Sequence, residues 1–197
     1  MIRGVTGSDG VLLTTARLRL RRFTGDDVPR LVELDGDPEV MRFLTGGRPT
    51  PPATVRDEQL PRILDGYDRY PGLGRWAAED TVDGAFLGWF ALDPSDGGTG
   101  PELGYRLRRP AWGRGLATEG ARALVDHAFT IPDVRRVWAQ TMAVNVRSRA
   151  VLAKAGLRYV RTFHLDWPDP IAGTEHGEVE YELLRVDHLP PCGPGRR

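Results

Sequence analysis

Lysine is nearly missing from this sequence: of its 27 lysine and arginine residues only Lys154 is lysine. A P-loop needs Gly-Lys-Ser/Thr after a first glycine and four spacers, and Lys154 lies far from the glycine-rich turn at 110–119, which argues against a nucleoside-triphosphatase and leaves another nucleotide-binding enzyme as a third reading. Cysteine is as scarce. Cys192, alone in a Pro/Gly-rich tail, allows neither an intramolecular disulfide nor a cysteine metal cluster, and a flexible tail cannot hold a thiol against a base. Neither sign of charge is in excess, since basic and acidic residues both number 27; no basic footprint for nucleic acid exists. No apolar window approaches a membrane span and the first residues form no apolar leader, which implies a soluble, cytoplasmic protein. His164 and His176 have no ligand-spaced partners, so no metal is expected. A length of 197 residues suits one buried core. We place a single domain at 11–188, with 1–10 and 189–197 as mobile Gly/Pro/polar tails, in a monomer or homodimer.

The rest of the chain alternates between the two periodicities. Ala16 to Phe23 predicts a strand, and Thr24 with Asp27 resembles a capping box opening a helix through Val28, Leu31 and Val32. Leu60, Ile63, Leu64 and Tyr67 predict a second helix whose start Pro61 obscures. Arg75–Glu79, Ala85–Leu92 and Glu102–Leu107 are separated by Asp83-Gly84 and by the Asp93-to-Gly98 turn, predicting an antiparallel meander. Further on, a strand covers Arg135 to Met142 and a helix covers Ser148 to Ala155. Gly156 stands where a helix end needs a left-handed residue. Tyr159–Asp166 and Val179–Val186 predict a closing hairpin, with Val179, Tyr181 and Leu183 buried against wet Glu180 and Glu182.

The richest segment is Pro110-Ala-Trp-Gly-Arg-Gly-Leu-Ala-Thr-Glu119. Gly113 and Gly115 clear side chains from a turn, and the stripe Ala117, Ala121, Leu124, Val125 and Ala128 puts an amphipathic helix directly after it. Its first N–H groups lack internal partners, so strand, glycine turn and helix together form an anion cradle. A dinucleotide fingerprint would need a third glycine where Thr118 stands.

Gly113-Arg-Gly-Leu-Ala117 resembles the pyrophosphate loop of the GNAT acyl-CoA N-acyltransferases. Trp112 replaces that superfamily's Arg or Gln, and Trp-Gly-Arg-Gly followed by Ala-Thr-Glu is similar to the branch holding the ribosomal-protein N-terminal acetyltransferases RimJ and RimL. A second motif, Asn145-Val-Arg-Ser148 through Lys154-Ala-Gly156-Leu157, matches the same branch, and the likeness spans about residues 14 to 187. It implies an α/β fold with a mixed, mostly antiparallel sheet of about seven strands, helices on both faces, and a gap between the fourth and fifth strands for the pantetheine arm. The implied activity is transfer of an acetyl group from acetyl-CoA, with no metal, to a primary amine by direct attack. That amine belongs to a protein N-terminus or, alternatively, to a drug, polyamine or amino acid. A non-catalytic acyl-CoA-binding module on the same fold is the rival reading.

Such chemistry needs a base for the amine, donors for the carbonyl and a proton for the thiolate. Glu102 faces away from Leu103, Tyr105 and Leu107 by alternation and matches a strand position where some GNAT enzymes carry a general-base glutamate; its bland alternative is a solvated edge carboxylate. The resemblance assigns the carbonyl to backbone N–H near Leu107. The family's proton-donating tyrosine is replaced by Leu152, and Ser148 takes the branch's serine position, where a helix cap is the alternative role. Tyr105, Leu107, Trp112, Gly113, Arg114, Gly115, Leu116, Ala117, Thr118 and Asn145 form the implied acetyl-CoA contacts. Asn145 could otherwise be an αL turn residue, Trp112 a packing residue and Arg114 a solvated charge. His127 is expected to be structural, and Trp76, Trp89 and Trp138 to be core or rim residues. By analogy, Tyr67, Tyr70, Trp167 and Glu175 line the acceptor site, with His164 and His176 near its mouth.

Overall fold

The computed structural model describes residues 3–4, 10–95 and 100–188; Cys192 and the tail from 189 lie outside them. Among the described residues, one sheet of nine strands runs β1(Arg3–Gly4), β2(Val11–Thr14), β3(Leu18–Arg21), β4(Gly74–Asp80), β5(Phe86–Asp93), β6(Glu102–Leu107), β7(Arg136–Met142), then β9(Glu178–Leu184) and β8(Arg158–Phe163) at the far edge. Two strands more are present than the alternation predicted: the expected strand at 16–23 turns back at Thr15–Arg17 to pair with β2, and β1 extends the edge. The 75–107 meander is as predicted, and the closing hairpin inserts β9 between β7 and β8.

Helices cover both faces. On one, α1(Val28–Gly36), α2(Pro38–Thr45), the short α3(Pro52–Thr54) and α4(Leu60–Arg69) succeed one another. Leu31, Leu34, Val55 and Leu60 of this layer bury Phe86, Trp89 and Ala91. Pro61 sits inside a continuous helical run, because Val55–Gln59 form a π-turn in which Leu60 N–H bonds back to Val55 O. The predicted first helix is cut at Asp37, whose side chain caps α2 through Glu39 N–H at 2.9 Å. On the other face, α5(Leu116–Ala128) and α6(Val146–Lys154) cover Leu103, Val137 and Val179 with Leu116, Leu124 and Leu152. A Cβ on Gly120 would stand 2.2 Å from Phe90 Cζ, so α5 lies almost in contact with β5.

All neighbouring strands are antiparallel except β6 and β7, whose parallel ladder holds one pair, Glu102 with Trp138. Trp138 closes that point with its backbone N–H on Pro101 O and its indole N–H on Gly100 O, both at 3.2 Å. Beyond it the strands part toward Leu107 and Met142. A wedge therefore opens at the carboxyl ends of two parallel strands, where sheets of this kind bind ligands.

Candidate active site

The cradle lies at the wide end of the wedge. Gly113 and Gly115 have φ of 71° and 78°, a left-handed conformation that side chains resist. A Cβ on Gly113 would meet nothing within 4 Å, so the turn borders open space. Glu119 N–H bonds to Gly115 O at 3.0 Å, which leaves the N–H groups of Leu116, Ala117 and Thr118 in the unpartnered first turn. Leu116 itself is buried in the core, so it fixes the helix while its backbone faces the turn. Trp112 donates its indole N–H to Leu107 O at 2.7 Å, tying the turn to the end of β6. Arg147 of α6 stacks over the same indole, and Arg109 and Arg147 line an adjoining cleft of about 980 Å³. Arg114 is half exposed, 3.6 Å from Asp80. Open glycines, free N–H groups and nearby guanidinium groups suit a diphosphate.

Sequence reasoning missed what holds the turn in place. Glu119 accepts from Thr15 Oγ1 at 2.6 Å, from Arg17 N–H at 3.0 Å and from Arg17 Nε at 2.7 Å, while Arg17 also donates to Arg114 O at 2.8 Å. Burial opposes ionisation of Glu119, but these donors outweigh it and hold its carboxyl below the usual range. More than a hundred residues separate Arg17 from Glu119, and no local pattern signals such a pair.

Glu102 stands at the narrow end of the wedge, half-buried, on the face opposite Leu103, Tyr105 and Leu107. Burial pushes its carboxyl up to about 7, the Asp93 carboxylate across the ladder adds to this, and Arg75 opposes it. Arg75 is held to Asp93 at 2.8 Å and stacks 4.1 Å from the Trp89 ring centre. Further along the same face, Arg106 reaches Asp35 of α1.

On the other face Tyr105 Oη lies 2.9 Å from Ser148 Oγ and 3.2 Å from Ser148 O, both within reach of its single proton. Burial raises the Tyr105 phenol to about 12, with the Ser148 hydrogen bond opposing. Asn145, not Ser148, caps α6: its Oδ1 accepts Ser148 N–H at 3.2 Å. Its φ of −81° also removes the αL alternative. Ser148 is therefore free of a capping duty, and Leu152 at the usual tyrosine position is core.

A cleft of about 660 Å³ lies between α2 and the loop from 164 to 177, lined by Arg42, Phe43, Val144, Ile171, Glu175 and His176 among others. Ile171 packs on Gly46, and Arg48 pairs with Asp169 at 2.5 Å, fastening loop to helix. Glu175 and His176 line this cleft as expected, and His164 approaches Glu175 O at 3.4 Å. Tyr67 does not. It is buried, accepting Phe23 N–H at 2.9 Å and donating to Arg75 O, because its stripe faces the sheet. Tyr70 ends α4 and is exposed, and Trp167 is exposed on the loop; neither borders the cleft. His127 bonds Gly72 O at 2.9 Å, a structural contact, and Trp76 and Trp89 are buried.

Residues 17–158 match the model of the acetyltransferase (GNAT) domain. The chain belongs to the GNAT acetyltransferase family. An Aspergillus fumigatus relative named FsC-acetyl coenzyme A-N(2)-transacetylase is 35% identical over 188 residues, covering 90% of this chain and 77% of the relative. The uncharacterized Bacillus subtilis protein YkkB is 33% identical, with 81% and 92% covered. The fold is shared with spermidine N-acetyltransferase from Vibrio cholerae, solved with CoA and spermine (TM-score 0.69, 15% identity, 88% and 98% covered). It is also shared with aminoglycoside acetyltransferase AAC(6')-Ib, solved with coenzyme A (TM-score 0.65, 22% identity, 86% and 96% covered). This GNAT protein is an acetyl-CoA-dependent N-acetyltransferase.

Proposed function

We propose that this enzyme acetylates a primary amine on a small molecule by direct attack, with Glu102 as the base. The observation that carries the reading is Glu102 itself: a carboxylate at the narrow end of the wedge, desolvated so that it titrates near 7. A base of that strength is half ionised at neutral pH and can still accept a proton from an ammonium as it becomes a nucleophile. The diphosphate would lie against Gly113 to Thr118 with Arg109 and Arg147, and the pantetheine arm along Tyr105, Leu107, Trp112 and Asn145. Acetyl-CoA supplies the activated acyl group. As the amine nitrogen bonds to the carbonyl carbon, its proton would pass through intervening water to Glu102, five residues back along β6, backbone N–H of β6 near Leu107 would hold the developing oxyanion, and the C–S bond breaks. Ser148, oriented by Tyr105, donates a hydrogen bond to the departing thiolate, which leaves with a proton from solvent or from this pair.

A small acceptor is favoured by the bounded cleft, which Arg48–Asp169 and Ile171–Gly46 close against α2, and by the N(2)-transacetylase name of the fungal relative. The test is acetyl-CoA consumption with polyamines, aminoglycosides, amino-acid amides and peptides bearing free N-termini. Turnover of a small amine with sequential kinetics is expected. Peptide-only turnover would return the acceptor to the protein N-terminus implied by the RimJ/RimL likeness. Acetyl-CoA binding without transfer to any amine would indicate a non-catalytic module.

A further inference from the structure

The charges that line the cleft between α2 and the 164–177 loop do not all cancel. Arg48 and Asp169 neutralise one another, which leaves Arg42 on the α2 wall and Glu175 on the loop wall. Met41 is the buried residue of α2 and fixes the helix, while its neighbours Arg42 and Phe43 line the cleft. The Arg42 guanidinium lies over the Phe43 ring, 5.2 Å from its centre, and meets no carboxylate among the described residues. Stacked in this way, a guanidinium keeps its N–H edge free for a planar anion. Glu175 is held differently. Its carboxylate accepts Gly173 N–H at 2.8 Å and its own backbone N–H, which fixes its direction. No cation stands at hydrogen-bond distance, since His176 Nε2 is 3.6 Å away, and a carboxylate so placed keeps lone pairs for a further donor.

Arg42 and Glu175 form no ion pair with each other among the described residues, so the space between the two walls is left for a ligand. Its volume of about 660 Å³ is that of a small-molecule site. Val144, which follows the end of β7, lines the same cleft and packs against Gly173 of the loop. The next residue, Asn145, caps the helix that carries Ser148. The cleft therefore reaches the end of β7 that borders the wedge. A ligand of one sign suits only one wall: a polyamine would bring ammonium groups toward Arg42, and a dicarboxylate would meet Glu175. Only a molecule carrying both signs satisfies both.

We propose that the acceptor is a zwitterion, an amino acid with a second amine. Arg42 takes its carboxylate, Glu175 takes one protonated nitrogen, and the other nitrogen is the one that is acetylated. Arg42 and Glu175 exchange no proton in the reaction; they are specificity residues. This rests on the small-amine reading above, and it carries its own readout.

The test is calorimetric titration of the CoA-loaded full chain with lysine and ornithine, and with cadaverine and putrescine, the diamines that lack their carboxylate. The parent should bind at least one amino acid about tenfold or more tightly than its matched diamine, the worth of one charge-assisted hydrogen-bonded pair. R42M should abolish that preference and R42K should retain part of it. E175Q should weaken amino acid and diamine alike, by about tenfold, and so preserve their ratio. Both residues are exposed, so the unfolding temperatures of the variants should stay near the parent's. A parent that prefers the diamines, an R42M variant that loses both ligands equally, or an E175Q variant with parental affinities would each overturn the proposal. Acetyl transfer is read separately. If the amino acids bind through Arg42 and Glu175 yet are not acetylated, the small-amine transfer reading fails while the zwitterion site stands. If a carboxylate-free amine such as kanamycin is turned over with a higher kcat/KM than either amino acid, the transfer reading stands and this proposal fails.

Discussion

Tyr105 Oη and Ser148 Oγ, 2.9 Å apart, join the strand that borders the wedge to the first turn of α6. The phenol is held protonated by burial; when its one proton goes to Ser148 Oγ, the serine's own hydroxyl proton is left for the proposed hydrogen bond to the thiolate. Replacing either residue should lower kcat by about tenfold, of the order of one positioned hydrogen bond. Y105F and S148A combined should cost little more than one alone, since coupled groups are not additive. Steady-state kinetics monitoring thiol release measures this. Fully additive losses would mean that the two side chains act separately.

Removing the base should be more severe. E102Q is expected to lower kcat/KM by about 10² or more, the usual worth of general-base assistance. In the parent, activity should climb with pH through a limb near 7, because only the ionised carboxylate accepts a proton. The same group gives stability the opposite slope. Its folded-state pKa lies above the ordinary glutamate value of 4.5, so the fold binds the extra proton between about 4.5 and 7 and loses stability as pH rises through that window. E102Q should flatten both the activity limb and this stability slope. A limb near 7 that survives in E102Q would assign it to another group.

Two glycines should separate binding from folding. Gly113 has open space around its missing Cβ but a φ of 71°, so G113A costs about 1 kcal/mol of strain and crowds the diphosphate. Its main effect should be a raised KM for acetyl-CoA. Gly120 faces the Phe90 ring, 2.2 Å from where a Cβ would be. G120A should therefore destabilise the fold by about 1–3 kcal/mol through overpacking, with the KM for acetyl-CoA near that of the parent. Chemical denaturation and acetyl-CoA titration of each variant check the contrast.

Local chemistry made the cradle legible: Gly113, Gly115 and the apolar stripe of α5 state a turn and a helix without any tertiary information. Alternation likewise placed Glu102 opposite Leu103 and Tyr105, and Val179 opposite Glu180. What could not be read depends on contacts distant in sequence. Period-two patterns do not say that β9 lies between β7 and β8. Strands as short as Arg3–Gly4 carry too few residues for a period at all. Tyr67 shows the opposite failure, since its helical stripe stated burial correctly while analogy sent it to the acceptor site. Asn145 and Ser148 are both capping types three residues apart, and only the backbone conformation tells which of them caps α6.

The clamp at Glu119 gives the cradle a dependence on acid. Thr15 and Arg17 hold the Glu119 carboxyl below its ordinary value of 4.5, so its contribution to stability is fully present above that value. It disappears as pH falls through the lower folded-state value. Arg17 remains 47% exposed, and water screens the pair, so E119Q should cost only about 1 kcal/mol near neutral pH. Urea unfolding of parent and E119Q across the acidic range should show the two curves converging as pH drops. Arg17 also donates to Arg114 O, so loosening it frees the turn that would hold the diphosphate. E119Q should thus raise the KM for acetyl-CoA about threefold to tenfold, equivalent to about 1 kcal/mol of binding, while leaving the KM for the amine as it is. A variant with unaltered acetyl-CoA affinity would restrict Glu119 to stabilising the start of α5.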